Sequence, residues 1–317
     1  MLSRCAAAVV LMGYALAVSG AASEHAYPNK PIRIVNGGVG GASDIGLRLF
    51  VPGLHLGQPI VIDNRSSGVV PGEIVSRAAP DGYTLLCYTG VLWIGPLLQK
   101  TPYDALRDFT PVVWLTKAPN LVVLHPSLAA GTVRELIAYA KDRPGQLNYA
   151  SGGTGASNHL AAELFKSMAG VNVVRIVYKS GATQMADLVG GQVQMMFANA
   201  GAVSSYVKAG RLKALAVTSA QSTPLFPALP TVAASGLPGY EAISLIGLWA
   251  PAGTSRALVE RINSESVRVL KSADVRERFM GVGLEAVGSS PEDFAAYIKS
   301  DVARWSKVIR DAGIRGE

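Results

Sequence analysis

The sequence predicts an α/β fold with two lobes. Short β-branched runs alternate with helical patterns along most of the 317 residues, as in sheets that are covered by helices. Strands are expected at residues 32–35, 60–62, 84–88, 112–115, 121–124, 147–150, 173–177, 193–198, 212–217 and 245–250. Since the chain contains no long linker, the connections between the lobes must themselves be strand-like, near residues 119–124 and 244–249. Two such connections predict a hinge.

Capping residues mark several of the intervening helices. Thr132 and Glu135 have the spacing of a capping box before LIAYAK. Leu164 and Met168 share the apolar face of a helix that ends at Gly170. The first helix should stop early, because a Pro-Gly pair stands at residues 52–53.

The C-terminal part predicts helices with no strand after them. Residues 254–279 have a helical pattern, and Ser290, Pro291 and Asp293 begin a last helix. The buried face of that helix is expected to consist of Phe294, Ile298, Trp305 and Ile309. These helices should pack back on the first lobe.

Composition and charge exclude several classes of protein. With 49% hydrophobic and 16% charged residues, the chain can bury a large core and is not disordered. The formal charge of +7 comes from scattered lysines and arginines, without the basic block interleaved with aromatics that indicates nucleic-acid binding. A mild positive charge favours small anions as partners. The four histidines are far apart, so no metal centre is predicted.

The first residues have the pattern of a secretory signal. Arg4 supplies the positive start, residues 5–18 form an apolar stretch, and SGAAS provides the small residues that a signal peptidase needs. A transmembrane anchor is the alternative, but the apolar run is short and is broken by Gly13 and Tyr14. We expect residues 1–22 to be removed near Ala21 or Ala22 and the mature chain to be exported.

Removal of this segment leaves Cys87 as the only cysteine, so no internal disulfide can form. Export remains compatible with this, because a domain of this size is held together by its core. We interpret Cys87 as a buried, small apolar residue and not as a reactive thiol.

Two glycine-rich segments each follow a strand and precede a helix. NGGVGGASD spans residues 36–44, the first glycine loop, and SGGTGASNH spans residues 151–159, the second glycine loop. Backbone N–H groups of such a loop and of the first helical turn converge on one space, where they favour an anion. The helix caps are expected from Ser43 or Asp44 in the first loop and from Ser157 or Asn158 in the second. Each lobe therefore offers an anion cradle.

Enzyme motifs do not fit these loops. The first loop lacks the G-x-G-x-x-G spacing, the chain has no G-K-S/T of a P-loop, and Ile45 stands where a nucleophile elbow has its last glycine. His159 near Ser151 and Ser157 leaves an exported hydrolase open, although a histidine one turn into a helix more often bonds locally. We predict no catalytic residue and interpret Asp44 as a helix-start residue that can touch a ligand.

From residue 27 onward, a series of motifs occurs in the order that is typical of one family. They are YPNKPIRIV, GGASD, GQPIVIDNR, AAPDGYTLL, TPYDALRDFTPV, ELIAYAKDRPGQLNYASGGTG, HLAAELFKSMAGV, YKSGA, DLVGGQVQMMF, KAGRLKALAVT, LPTVAASGLPGYE, GLWAPAGT and AGIRGE. On these motifs, the chain resembles the Bug-type substrate-binding proteins of tripartite tricarboxylate transporters.

The resemblance implies a type II periplasmic-binding-protein fold. Two lobes, each with a mixed, mostly parallel sheet flanked by helices, are joined by two hinge crossovers; lobe 1 comprises residues 27–121 and 246–317, and lobe 2 residues 122–245. The implied ligand is a small organic carboxylate, held by backbone amides of the glycine loops and ordered water rather than by arginine. The implied partners are the large and small membrane subunits of a transporter or, alternatively, a sensor receptor. A periplasmic monomer without cofactor is expected.

Carried over motif by motif, the resemblance implies ligand contacts from both glycine loops and from three other strand ends. They are Gly38, Val39, Gly40, Gly41, Ala42, Ser43, Asp44, Thr89, Gly90, Ser151, Gly152, Gly153, Thr154, Gly155, Ser157, Tyr178, Ala198 and Asn199. Asn199 would read the far end of the ligand. The chain departs from the family pattern where Asn36 and Gly37 replace an apolar aromatic residue, and where the loop SSGVVPGE is short. These differences concern the lining of the cleft.

Overall fold

The structure is a computed structural model that describes residues 27–40, 42–65, 68–178, 180–311 and 313–314. The expected signal segment and Gly41 lie outside the described residues. The described chain forms the strands β1 Ile32–Asn36, β2 Ile60–Asn64, β3 Thr84–Thr89, β4 Phe109–Leu124, β5 Asn148–Ser151, β6 Val174–Val177, β7 Met195–Asn199, β8 Lys213–Val217, β9 Ile243–Pro251 and β10 Glu285–Ala286. Its helices are α1 Ala42–Phe50, α2 Val70–Ser76, α3 Val91–Leu98, α4 Val133–Asp142, α5 Ser157–Ala169, α6 Gly181–Val189, α7 Ala200–Lys208, α8 Arg256–Lys271, α9 Ala273–Gly281 and α10 Pro291–Asp311.

Strand pairing forms two sheets that share β4. The first sheet has the order β2-β1-β3-β9-β4, with β10 also on β4; β1 is parallel to β2 and β3, whereas β9 is antiparallel to β3 and β4. In the second sheet β4 is followed by β7, β5 and β6, with β8 also on β4; β5 is parallel to its neighbours, whereas β7 and β8 are antiparallel to β4. The predicted α/β fold with two lobes and mixed sheets is confirmed.

The strand β4 passes from one sheet to the other. Up to Pro119 it pairs with β9, and from Asn120 it pairs with β7. The prediction of two separate strands at residues 112–115 and 121–124 is therefore wrong. The residues between these two predicted strands stay extended because residues 116–119 pair with β9. β9 is itself the second predicted connection between the lobes.

The C-terminal part contains a strand that the sequence analysis did not predict. Glu285 and Ala286 form β10 and pair with Lys117 and Thr116 of β4. A two-residue strand is too short to produce a periodic pattern, which explains the error. The last helix agrees with the prediction, since the side chains on its expected face are all buried: Phe294, Ile298, Trp305 and Ile309.

The helix ends agree with most of the predicted caps. The Thr132 hydroxyl accepts a hydrogen bond from the Glu135 amide at 3.2 Å, and Gly170 ends α5 in a left-handed conformation. The first helix gives way to a short 3₁₀ turn, Val51–Gly53. In the second glycine loop the predicted N-cap position is wrong, because Ala156 is the N-cap of α5 and its side chain makes no capping hydrogen bond. Asn158, in the first turn of the helix, nevertheless accepts a hydrogen bond from the His159 amide at 2.9 Å.

The core fills both faces of the first sheet. On one face α1, α8 and α9 cover an apolar cluster that contains Ile34, Phe50 and Cys87. On the other face α3 and α10 pack around Trp93 and Trp249. Cys87 is fully buried, and burial raises the pKa of its thiol. This environment agrees with the interpretation of Cys87 as a small apolar core residue. No described helix combines the length and the hydropathy needed to cross a membrane.

Backbone atoms of α7 and of the loop after α9 touch each other directly, with no side chain between them. Gly201 in the first turn of α7 lies against the loop after α9, so that a Cβ on Gly201 would overlap the carbonyl oxygen of Val282. Gly283 has φ of 77°, and a Cβ there would lie 2.5 Å from the amide nitrogen of Gly201. Only glycine fits on either side of this glycine contact.

We expect Gly201→Ala to destabilise the protein, although alanine favours helix. The added methyl group must displace backbone, which costs about 1–3 kcal/mol as in other overpacked sites. Gly181→Ala is the matched control, because Gly181 also begins a helix but has open space around its Cβ position. Urea unfolding of both variants measures the difference. Equal unfolding free energies for the two variants would contradict the tight contact.

Candidate functional site

The two glycine loops line one cavity. The first loop connects β1 to α1, the second connects β5 to α5, and a cavity of about 330 Å³ lies between them. Its volume is at the lower end of the range of small-molecule sites, about 300–1,000 Å³. The lining residues are Gly37, Gly38, Ala42, Ser43, Gly68, Tyr88, Thr89, Val91, Gly153, Thr154 and Ala156. Residues from both lobes thus surround one space.

The structure brings together part of the predicted site. Gly38, Ala42, Ser43 and Thr89 of the first lobe line the cavity, as do Gly153 and Thr154 of the second. Five other residues that were predicted in the glycine loops make hydrogen bonds within those loops or to α5: Gly40, Asp44, Ser151, Gly152 and Gly155. Ser157 begins α5, and Val39 projects outward with 78% of its surface exposed. Gly90, next to Thr89, is the N-cap of α3. Gly41 is outside the described residues.

Asp44 holds the first glycine loop. Its carboxylate accepts hydrogen bonds from the Gly40 amide at 2.9 Å, from Arg48 at 3.0 Å and from the Asn64 side chain at 2.9 Å. Burial alone would raise the pKa of Asp44, but these hydrogen bonds outweigh burial and lower it. Gly40 has φ of 75°, which glycine adopts without strain. The carboxylate is thus an internal anion that fixes the turn beside the cavity.

Two side chains of α5 hold the second glycine loop. The Asn158 side-chain oxygen accepts from the Gly152 amide at 3.2 Å, and the His159 Nδ1 accepts from the Gly155 amide at 3.2 Å. Gly155 itself has φ of 84°. Among the described residues, no protein acceptor receives the amides of Gly153 and Thr154. Those two amides belong to residues that line the cavity.

His159 is held neutral and is not paired with a serine. Burial is the main cause that lowers the pKa of His159 to about 4, and the positive charge of Arg175 contributes to the shift. In the described hydrogen bonds, the Ser151 hydroxyl contacts Gly152 and Arg175, and neither Ser151 nor Ser157 reaches the His159 ring. The arrangement therefore lacks the nucleophile–base contact of a hydrolase.

Arg175 is a site residue that the sequence analysis missed. It lies on β6, and its guanidinium donates hydrogen bonds to Ser151, Gly152 and Thr154 of the second glycine loop. A single arginine in a strand has no local motif. The alternation of side chains along the strands could have indicated its position. Arg175 pairs with Tyr149 of β5, and the side chains of Tyr149 and Ser151 lie on the same face of the sheet, so Arg175 shares that face with Ser151.

Tyr88 is the second missed residue. Its ring lies beside Gly37, where an added Cβ would be 3.1 Å from the ring, and its hydroxyl bonds to the amide and the carbonyl of Gly68 at 2.9 Å. The resemblance indicated that an aromatic side chain was missing at residues 36–37, and the Tyr88 ring occupies space at that point. Asn36 is fully buried, and its side-chain atoms have no hydrogen-bond partner among the described residues.

Three predicted contacts lie away from the lining of this cavity. The Tyr178 hydroxyl donates to Asp187 at 2.8 Å, and burial together with this bond raises the pKa of Tyr178 to about 12. Ala198 is buried in β7. The Asn199 side chain caps α7 by accepting from the Gly201 amide at 3.0 Å. The described residues contain no cluster of side chains that could hold a metal ion.

Comparison with known proteins gives consistent relatives. Residues 53–314 match the family described as "Tripartite tricarboxylate transporter family receptor". Protein BugT of Bordetella pertussis is 33% identical over 318 residues, which cover 97% of this chain and 98% of BugT. The structure of R. palustris Rpa4515 with adipate is 35% identical in sequence and superposes with a TM-score of 0.83. The matched region covers 92% of this chain and 100% of the Rpa4515 chain. MatC (Rpa3494) from Rhodopseudomonas palustris with bound malate has 28% identity and a TM-score of 0.79, with 89% and 100% covered.

The lowered pKa of His159 predicts a pH dependence of stability. Between pH 6.5 and about 4 the folded protein binds fewer protons at His159 than the unfolded chain does. Its stabilising contribution is therefore complete above pH 6.5 and is lost as the pH falls through this window. His159→Asn keeps an acceptor for the Gly155 amide without titrating. On acidification from about pH 7 to about pH 5, the variant should lose about 1–2 kcal/mol less unfolding free energy than the wild type.

The control for this measurement is His55→Asn, because His55 is exposed. Urea unfolding at several pH values should give the same pH slope for that variant as for the wild type. If His159→Asn also kept the wild-type slope, the neutral buried state of His159 would be wrong.

Proposed function

The chain belongs to the tripartite tricarboxylate transporter receptor family, and from this membership we propose that it captures a small organic carboxylate between its two lobes. It is a periplasmic solute-binding protein and carries out no chemistry on its ligand. The ligand is delivered to the large and small membrane subunits of a tripartite transporter. The single observation that carries this proposal is the cavity lined by both glycine loops.

The chemistry of the loops favours a negatively charged ligand. Each loop precedes a helix, so the amides of its residues and the helix N-terminus concentrate partial positive charge at the cavity. The Gly153 and Thr154 amides, which no described protein group accepts, supply donors from the second lobe. A hydrogen bond from an amide to a carboxylate contributes about 1.5–3 kcal/mol. A few such bonds suffice for binding without a direct arginine contact.

Dicarboxylates are the ligand class that best suits two opposed loops. One carboxylate bonds to the first glycine loop and the other to the second, so the ligand bridges the lobes and favours the closed form. The proteins with adipate and with malate, to which this chain is similar, hold acids of this class. We take the contact residues to be Gly38, Ala42, Ser43, Thr89, Gly153 and Thr154, which line the cavity.

The hinge lies in the two connecting strands. The change of pairing partner in β4 occurs between Pro119 and Asn120, and β9 begins at Ile243. We propose that a first lobe, residues 27–121 and 246–317, moves relative to a second lobe, residues 122–245. The export signal at the N-terminus supports a periplasmic location. The protein acts as a monomer, because residues of its own two lobes line the cavity between the glycine loops.

A thermal-shift screen tests the ligand class. Adipate, malate, citrate, benzoate and glutamate should be compared with glucose at equal concentration and pH. A bound dicarboxylate at a hundredfold excess over its Kd adds about 2.7 kcal/mol of stability, which raises the Tm by several degrees. Small-angle scattering should show a smaller radius of gyration with that acid. Stabilisation by glucose with no effect of any acid would overturn the proposal.

Uptake by cells distinguishes transport from sensing. Cells that lack this chain should lose accumulation of the labelled acid and regain it when the chain is supplied. Unchanged accumulation together with a changed transcriptional response to the acid would instead support a protein that presents its bound form to a receptor.

Gly153→Val should block the ligand without unfolding the protein. Open space surrounds the Cβ position of Gly153, so the side chain fits the fold but enters the cavity. We expect calorimetry to give at least a tenfold weaker Kd for the acid that binds the wild type, which corresponds to about 1.4 kcal/mol or more. An unchanged ligand-free Tm is the control for folding. Full affinity in a folded variant would exclude Gly153 from the site.

A further inference from the structure

We propose that Arg175 is the positioning residue of the anion site: it fixes the second glycine loop in the form that donates amides to the cavity and places a permanent positive charge behind them. This inference rests on the proposed function and names an element of specificity within the same site. None of the family motifs identified in the sequence assigned a role to Arg175.

Three hydrogen bonds of Arg175 go to oxygen atoms of the second glycine loop. Its Nε donates to the Ser151 hydroxyl at 2.8 Å, one terminal nitrogen to the Thr154 hydroxyl at 3.2 Å, and the other to the Gly152 carbonyl at 2.8 Å. A guanidinium offers its donors in a rigid, planar fork, so these three bonds together fix the positions of Ser151, Gly152 and Thr154. Lysine cannot reproduce this geometry.

The bond to Gly152 determines which way the next amide faces. The Gly152 carbonyl and the Gly153 N–H belong to one planar trans peptide unit, in which the two groups point in opposite directions. Because the carbonyl is turned toward Arg175, the Gly153 N–H is turned away from Arg175. Gly153 lines the cavity, and no described protein group accepts its N–H. The arginine therefore selects the peptide orientation that leaves a donor for a ligand.

The charge of Arg175 also acts at this end of α5. It contributes, after burial, to the lowering of the pKa of His159, whose ring accepts the Gly155 amide. The other charged groups that act on His159 are Glu163 and Lys166, which form an ion pair with each other at 2.7 Å. The loop is thus bonded to a positively charged group that is not itself among the residues lining the cavity. An anion feels this charge in addition to the amide dipoles.

Three substitutions of Arg175 distinguish the effect of its hydrogen-bond geometry from the effect of its charge. Arg175→Met removes both the fork and the charge, Arg175→Gln keeps one amide donor, and Arg175→Lys keeps the charge with a single-point donor. Arg143→Met is the matched control, since Arg143 is an exposed arginine of the same lobe, stacked on Tyr139. Each protein should first be checked for an unchanged circular dichroism spectrum.

Calorimetry with adipate and with malate gives the binding result. We expect affinity for the acid that binds the wild type to fall about ten- to hundredfold in Arg175→Met, from the loss of charge-assisted interactions. Arg175→Lys should recover part of the loss, and Arg143→Met should stay within about threefold. Wild-type affinity in a folded Arg175→Met protein would overturn the inference while leaving the proposed function intact.

Nuclear magnetic resonance tests the same inference without any ligand. In Arg175→Met the Gly153 and Thr154 amide signals should move and the pKa of His159 should rise, because a positive charge and the loop contacts are gone. Arg175→Lys should move the amide signals but leave the pKa of His159 nearer to its wild-type value. If the wild type bound neither acid, the dicarboxylate proposal would fail. Unchanged amide signals and an unchanged His159 pKa would independently overturn the role of Arg175.

Discussion

The antiparallel pairing of β4 with β9 is the contact on which the rest of the structure depends. In the strand order, β1 stands two places from β9 on one side and β5 stands two places from β4 on the other. Five strand spacings would separate the glycine loops by about 24 Å in a flat sheet. Both loops nevertheless line a cavity of about 330 Å³, so the sheets must bend toward each other at the crossing strands. The register shifts of β4 around Val113 and Thr116 provide bends of this kind.

In each glycine loop, hydrogen bonds from the protein's own side chains occupy some backbone polar groups and leave others available to a ligand. Asp44 takes the Gly40 amide in the first loop, and His159 takes the Gly155 amide in the second. In the second loop Arg175 adds the complementary control, because it takes oxygen acceptors and not donors. A glycine-rich turn has many accessible conformations, and these bonds favour the one that the structure shows. Such preorganisation lowers the ordering cost of binding.

The sequence predicted the parts of this structure that leave a local pattern. The alternation of strands and helices, the cap at Thr132 and both glycine loops follow from neighbouring residues, and the family follows from ordered motifs. The rest depends on distant pairings. The length of β4 comes from its pairing with β9, more than a hundred residues away in the chain. Arg175 reaches Ser151 from another strand, and Tyr88 lies beside Gly37 only because β1 and β3 are neighbours.

From residue 27 onward Cys87 is the only cysteine, and it is enclosed in the core. A thiol that is fully shielded and kept protonated does not react with maleimide reagents. One cysteine introduced on the rim of either lobe can therefore carry a single fluorescent dye, with no need to delete a native thiol. Under the proposed function the lobes approach each other around a bound acid, and emission from such a dye would then turn the chain into an optical biosensor for that acid.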